Sequence, residues 1–144
     1  MIKIPDYIFY RLYKNSSVTN KSIPEWSSIF IISIALSFNV ISVLIFFGFD
    51  IELIGKKGFQ LIPIIFIGIN YFVFLYKKRY LNIINQFDQI ENKLIYDILV
   101  LLYISGSILI FFYLAEMGIK YWIYIIALIL IISQVPNFIK FMKK

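Results

Sequence analysis

The chain has 144 residues, enough for one domain, and 61% of them are hydrophobic while 15% are charged. A mean hydropathy of +0.86 places it with membrane proteins and not with water-soluble globular ones. It contains no cysteine and no histidine, which excludes disulfides, thiolate nucleophiles, Cys/His zinc sites and imidazole acid–base catalysis.

The net charge of +6 comes from basic residues that flank hydrophobic stretches. A basic soluble domain would suggest nucleic acid, but cations beside apolar runs are typical of contact with an anionic membrane surface. We therefore expect the lipid bilayer as a partner, no nucleic acid, and no cofactor or metal.

The N-terminal segment 5–14, PDYIFYRLYK, mixes aromatic and basic side chains. This mixture predicts a short helix lying on the membrane interface, with a loosely ordered tail as the alternative. The rings expected at the lipid headgroups are Tyr7, Phe9, Tyr10 and Tyr13. The cations expected to reach lipid phosphates are Arg11 and Lys14.

Residues 26–47 contain no charge, no proline and no glycine. A helix of about 20 residues, rising about 1.5 Å per residue, crosses the hydrocarbon core of a bilayer, so this stretch predicts a first transmembrane helix. Residues 59–76 predict a second, with Pro63 near its start. A basic cluster that follows it is expected at the membrane surface: Lys77, Lys78 and Arg79.

Residues 77–94 change character, because apolar side chains recur every three or four positions between polar ones. This spacing predicts an amphipathic helix that can continue straight from the second span. Its apolar stripe either leans on the membrane interface or is covered by a partner. The stripe residues, our candidate partner-binding residues, are Tyr80, Ile83, Phe87, Ile90 and Leu94.

Residues 95–115 and 119–135 predict a third and a fourth transmembrane helix. The turn at 116–118 is so short that these two spans must be antiparallel neighbours. The predicted fold is therefore all-α, a single membrane domain over 1–144 that forms an integral membrane four-helix bundle with a cytoplasmic amphipathic helix between the second and third spans.

The fourteen lysines and arginines are distributed unevenly over the loops. All but Lys56, Lys57 and Lys120 lie in the N-terminal segment, the central segment or the C-terminal tail. The positive-inside rule then places both termini and segment 77–94 in the cytoplasm, as in a bacterial inner-membrane protein.

Among the polar side chains inside the first two spans, four are candidates for a role within the membrane: Ser33, Ser37, Asn39 and Asn70. They are candidates either for helix packing, with an Asn39–Asn70 contact, or for the lining of a pore, and packing is the preferred interpretation. At the start of the third span, Asp97 is expected to pair with Lys93.

The segments KKRYLNII and ILVLLYISGSILIFFYL resemble parts of small uncharacterised four-span membrane proteins of low-GC bacteria, Bacteroidota in particular. The resemblance implies no catalytic residue. Similar small multispan proteins include immunity proteins against membrane-active toxins and membrane effectors of defence systems.

We therefore expect a non-catalytic membrane protein that acts through protein–protein contacts, such as an immunity protein or accessory subunit. The alternative is an oligomeric pore-forming or membrane-disrupting effector, which would be a homo-oligomer. A membrane-embedded enzyme that uses Asp50, Glu52 and Glu116 is a distant third.

Overall fold

A computed structural model describes residues 3–49, 51–90 and 94–115, without the side chains of 51–54, 56, 57 and 59. Within these ranges the chain is helical and contains no strand. The helices are α1 (Ile4–Thr19), α2 (Pro24–Phe46), α3 (Ile51–Asn70), α4 (Arg79–Asp88) and α5 (Leu94–Leu114). A π-helical turn, Tyr71–Leu75, and a 3₁₀ turn, Tyr76–Lys78, connect α3 to α4.

Three helical stretches in the described ranges are long and apolar enough to cross a membrane: Pro24–Phe46, Gln60–Asp88 and Leu94–Leu114. The first and third correspond to the predicted spans 26–47 and 95–115, and the part of the second before Lys77 corresponds to 59–76. The predicted fourth span, 119–135, and the turn before it lie outside the described residues. What the structure supports is an all-helical chain with three helices fit to cross a bilayer.

Helix α2 lies at the centre of this arrangement and contacts α1, α3 and α5. Small polar side chains follow its buried stripe, whereas Phe30 and Phe46 are exposed. The buried serines are Ser28, Ser33, Ser37 and Ser42. Bulky apolar groups outside and small groups inside are typical of a helix that faces lipid, because small side chains let neighbouring backbones approach closely.

The end of α2 has a local cause. Gly48 adopts φ +79°, a left-handed conformation that costs glycine little, and its amide hydrogen-bonds to the carbonyl of Ile45 at 2.9 Å. The helix therefore stops where the sequence predicts that the first span ends.

The prediction that the second span continues straight into the amphipathic helix is wrong. Lys77 and Lys78 have φ of 53° and 57°, so the chain turns sharply between α3 and α4. Left-handed conformations cost non-glycine residues of order 1–3 kcal/mol each. The turn lets α4 lie against α1, and the burial of Ile83 and Phe87 offsets that cost.

Candidate functional site

Helices α1 and α4 pack face to face through an aromatic core, and together they form what we call the α1–α4 layer. Phe87 is fully buried between the rings of Tyr7 and Tyr10, with centroid distances of 5.3 Å and 5.6 Å. Elsewhere on α1, Phe9 is also fully buried and stacks on Phe74 at 4.7 Å. These rings belong to one hydrophobic cluster that continues into α2 and α5.

This core corrects two predictions. The rings of Tyr7, Phe9 and Tyr10 are buried inside the protein and not at lipid headgroups, because the apolar stripe of α4 gives them a closer apolar surface. The stripe itself is covered from within the chain at Ile83 and Phe87, so the prediction that a partner covers these two positions is wrong.

The other stripe residues are less deeply placed. Tyr80 and Ile90 are half-buried against the same core, and Leu94 is exposed. Tyr13 is half-buried on α1 and packs on the Tyr80 ring at 6.2 Å. The predicted amphipathic helix 77–94 is therefore shorter in the structure, because α4 ends at Asp88 and Leu94 belongs to α5.

Charged side chains tie α1 to the rest of the chain at three points. The strongest in geometry is the contact between Arg79 and Asp6, in which one guanidinium nitrogen donates to both carboxylate oxygens at 3.0 Å. The other guanidinium nitrogen of Arg79 donates to the Val73 carbonyl at 2.8 Å. Arg79 thereby bridges the break between α3 and α4 and holds it against α1.

At each of the two further points, one carboxylate contacts both a cation and a tyrosine of α1. The first of these carboxylates is Asp97. Asp97 accepts a hydrogen bond from the Tyr7 hydroxyl at 2.7 Å and lies 3.2 Å from Arg11 Nε. Asp97 therefore has a partner on α1, while Lys93, its predicted partner, lies outside the described residues.

At the far end of α4, Asp88 accepts from the Tyr10 hydroxyl at 2.9 Å and from Lys14 Nζ at 2.9 Å. The Lys14 ammonium also lies 5.8 Å from the centre of the Tyr10 ring. Because both partners of the ion pair are about 40% exposed, it holds the end of α4 less firmly than the Asp6 contact holds its start.

The two tyrosines respond to this environment. Burial raises the pKa of the Tyr7 hydroxyl well above its ordinary value, and the hydrogen bond to Asp97 raises it further. Burial likewise raises the pKa of Tyr10, with a further rise from its hydrogen bond to Asp88. Both hydroxyls are thus held as neutral donors and not as acids.

These contacts divide the five cations predicted at the membrane surface. Arg11, Lys14 and Arg79 are engaged by carboxylates of the same chain, and contact of the first two with lipid phosphates stays a prediction. Lys77 and Lys78 are exposed at the turn before α4, and no carboxylate in the described part of the chain pairs with them. Of these five cations, Lys77 and Lys78 are the most exposed.

The polar side chains inside the spans make contacts between helices. Asn70 of α3 donates to Ser33 Oγ of α2 at 2.9 Å, and Asn39 of α2 donates to the Tyr103 hydroxyl of α5 at 3.0 Å. The predicted Asn39–Asn70 contact is therefore wrong, since each amide binds a different helix. Ser37 donates to the Ser33 carbonyl at 2.7 Å, and none of the four candidates is exposed.

One shallow groove lies along the second half of α2. Its volume is about 230 Å³, its lining is apolar, and the residues that line it are Asn39, Val40, Val43 and Leu44. The buried Ser42 Oγ has no hydrogen-bond partner among the described residues. The groove offers shape for an apolar group but no converging polar groups that could orient a substrate.

The structure does not test the enzyme hypothesis. Asp50 and Glu116 lie outside the described residues, and the Glu52 side chain is not described. Within the described ranges, no three His, Cys, Asp or Glu side chains lie close enough to hold a metal.

No family model matches the chain, and neither a curated protein nor a solved structure matches it significantly.

The ties between α1 and the rest of the chain went unpredicted, although a signal exists. Asp6, Tyr10 and Lys14 recur at steps of four, which places an acid, a phenol and a base on one face of a helix. A face of that kind favours a second, complementary protein helix over a lipid headgroup, and α4 supplies it.

Proposed function

We propose that the chain is a four-span inner-membrane protein of a bacterium, with 119–135 as its fourth span and with both termini and the α1–α4 layer in the cytoplasm. The asymmetry of lysine and arginine supports this orientation. So does the α1–α4 layer, since a helix pair with an aromatic core and charged ties is suited to water and headgroups and not to hydrocarbon.

Cysteine labelling tests this topology, because the protein has no cysteine of its own. A reagent that cannot cross the membrane should label cysteine at Lys57 in intact cells and should label cysteine at the exposed Gln86 only after lysis. A cysteine after Lys144 should behave like the one at 86. If it labels in intact cells, the chain crosses an odd number of times and the fourth span is refuted.

For the role of the protein, we propose non-catalytic action through protein–protein contacts in the membrane, as an immunity protein or accessory subunit acts. One observation carries this proposal: three carboxylates that could have served acid–base chemistry are engaged in holding α1 to the bundle. They are Asp6, Asp88 and Asp97. Side chains of this kind stabilise a scaffold and are poorly suited to turnover.

Because α1 covers the apolar stripe of α4 at Ile83 and Phe87, a partner protein has to bind elsewhere. Substitutions at Ile83 and Phe87 now test folding and not partner capture, so the contact surface belongs on the exposed apolar faces of the spans. Exposed side chains on α3 include Leu61, Ile64 and Ile65. A Cβ added at Gly68 of α3 or at Gly106 of α5 would meet no atom of the described residues within 4 Å.

Co-purification with the products of adjacent genes tests this proposal. A true partner should survive detergent exchange at fixed stoichiometry. Gly68→Leu and Gly106→Leu form a matched pair, because a Cβ added at either position meets no atom of the described residues within 4 Å. Loss of the complex in one variant, with retention in the other, locates the contact. Retention in both variants places it elsewhere, and the absence of any stable complex contradicts the proposal.

The alternative, a pore-forming or membrane-disrupting effector, predicts ion leak from vesicles that contain the purified protein. Its proposed lining is Ser33, Ser37, Asn39 and Asn70, and these side chains bond within one chain. We therefore expect tight vesicles. Leak that increases with protein density would favour the effector over the interaction protein.

A further inference from the structure

Four exposed aromatic rings form a continuous row from the start of α2, along the π-helical turn, to the first residue of the 3₁₀ turn. Trp26 stacks on Tyr71 at 5.7 Å, Tyr71 meets Phe72 at 5.5 Å, and Phe72 meets Tyr76 at 5.9 Å. We call this row the aromatic ladder. Its rings are between 37% and 66% exposed, so a large apolar surface with two phenol groups and an indole remains uncovered by the described chain.

The ladder ends at Lys77 and Lys78, two cations that pair with no carboxylate of the described residues. Lys77 Nζ lies 5.4 Å from the centre of the Tyr76 ring, and Lys78 follows at the same left-handed turn. The next cation, Arg79, points the other way, to Asp6 and the Val73 carbonyl. At this turn, Lys77 and Lys78 are therefore exposed, whereas Arg79 binds groups of the same chain.

We propose that the aromatic ladder and the Lys77–Lys78 pair form a binding site for one anionic phospholipid, at the membrane face where α2 begins. The lysines neutralise the headgroup phosphate, the phenol and indole groups lie at the ester level, and an acyl chain follows Phe72. Aromatic rings with a polar edge favour this depth in a bilayer, and lysines beside it attract acidic lipids.

The positive charge of Lys77 and Lys78 determines which lipid binds at this site. The lysines have no carboxylate partner in the described ranges, whereas Arg11, Lys14 and Arg79 are each neutralised. An acidic headgroup complements the pair, and a neutral zwitterion does not. The inference needs only that the protein lie in a bilayer, so it stands independently of the proposed partner contacts.

Quenching of Trp26 by bromine-labelled acyl chains tests the site. Trp122→Phe leaves Trp26 as the sole tryptophan, because the chain has only two. In phosphatidylcholine vesicles, we compare quenching by brominated phosphatidylglycerol with quenching by brominated phosphatidylcholine. Each lysine near the surface strengthens attraction by about fivefold, equivalent to about 1 kcal/mol, so two lysines predict a preference of about 25-fold for the acidic lipid.

Matched variants separate a site from general surface charge. Lys77→Gln with Lys78→Gln should abolish the preference, while Lys3→Gln with Lys21→Gln, which removes the same charge from exposed positions elsewhere, should preserve it. Lys77→Arg with Lys78→Arg should also preserve it, which ties any loss to charge and not to the backbone turn. Added inorganic phosphate should not compete.

Three results would overturn the proposal. The first is equal quenching by the two brominated lipids in the otherwise unchanged protein. The second is an equal loss of preference in the two glutamine variants, which would indicate surface electrostatics alone. The third is competition by free phosphate, which would assign the lysines to a soluble anion.

Discussion

Replacing Phe87 by alanine removes the centre of the α1–α4 layer. The side chain is fully buried and meets the rings of Tyr7 and Tyr10 at 5.3 Å and 5.6 Å. Removal of a buried phenylalanine costs about 3–5 kcal/mol. Within that loss, two aromatic contacts at about 0.5–1.5 kcal/mol each contribute about 1–3 kcal/mol. Roughly two to three and a half decades in the unfolding equilibrium constant should be lost.

Unfolding in a mild detergent by titration with sodium dodecyl sulfate measures this loss, with helix content followed by circular dichroism. Phe46→Ala is the matched control, because Phe46 is 73% exposed and its replacement leaves no cavity inside the protein. We expect the control to cost less than about 1 kcal/mol. If the two variants unfold at the same detergent fraction, α1 does not cover α4 and the reasoning is refuted.

Three further predictions follow from the charged and polar contacts. Asp6→Asn should lower the free energy of unfolding by about 1.5–3 kcal/mol because the Asp6 carboxylate accepts both hydrogen bonds from Arg79, whereas Lys14→Gln should cost less than about 1 kcal/mol because that pair is exposed. Equal losses on thermal unfolding would contradict this ranking. Asn70→Leu should cost about 0.6–2 kcal/mol and leave vesicles tight to ions, and an altered ion flux would argue against a packing role. The raised pKa of Tyr7 predicts that stability is fully present below pH of about 10 and is lost as the pH rises toward the folded-state pKa, and that Tyr7→Phe reduces this loss in alkaline unfolding scans.

The spans were predictable because their signal is local. A charge-free run such as 26–47 exceeds the length needed to cross a bilayer whatever surrounds it, and α2 covers nearly the same residues. The amphipathic stripe was equally visible, because its spacing requires only that one face of a helix be apolar. The residues that cover the stripe were not predictable, because their rings lie more than seventy positions earlier in the chain.

The turn before α4 had no local signal. Lysine has no preference for a left-handed conformation, and no glycine or proline marks Lys77 or Lys78. The turn arises because α4 can bury its stripe only by folding back onto α1. The partners of Asn39 and Asn70 were hidden for a related reason: each amide lies mid-span, but the rotation of each helix decides which neighbour it meets.

Zero-length crosslinking tests the central claim, that the chain covers its own amphipathic stripe with α1, most directly. A carbodiimide joins an amine to a carboxylate in direct contact, and Lys14 Nζ lies 2.8 Å from Asp88 Oδ1. In membranes that contain a mixture of isotopically labelled and unlabelled protein, we predict a Lys14–Asp88 amide within single chains, detected by mass spectrometry and absent from Lys14→Gln. A link found only between chains, or no link, would contradict the account.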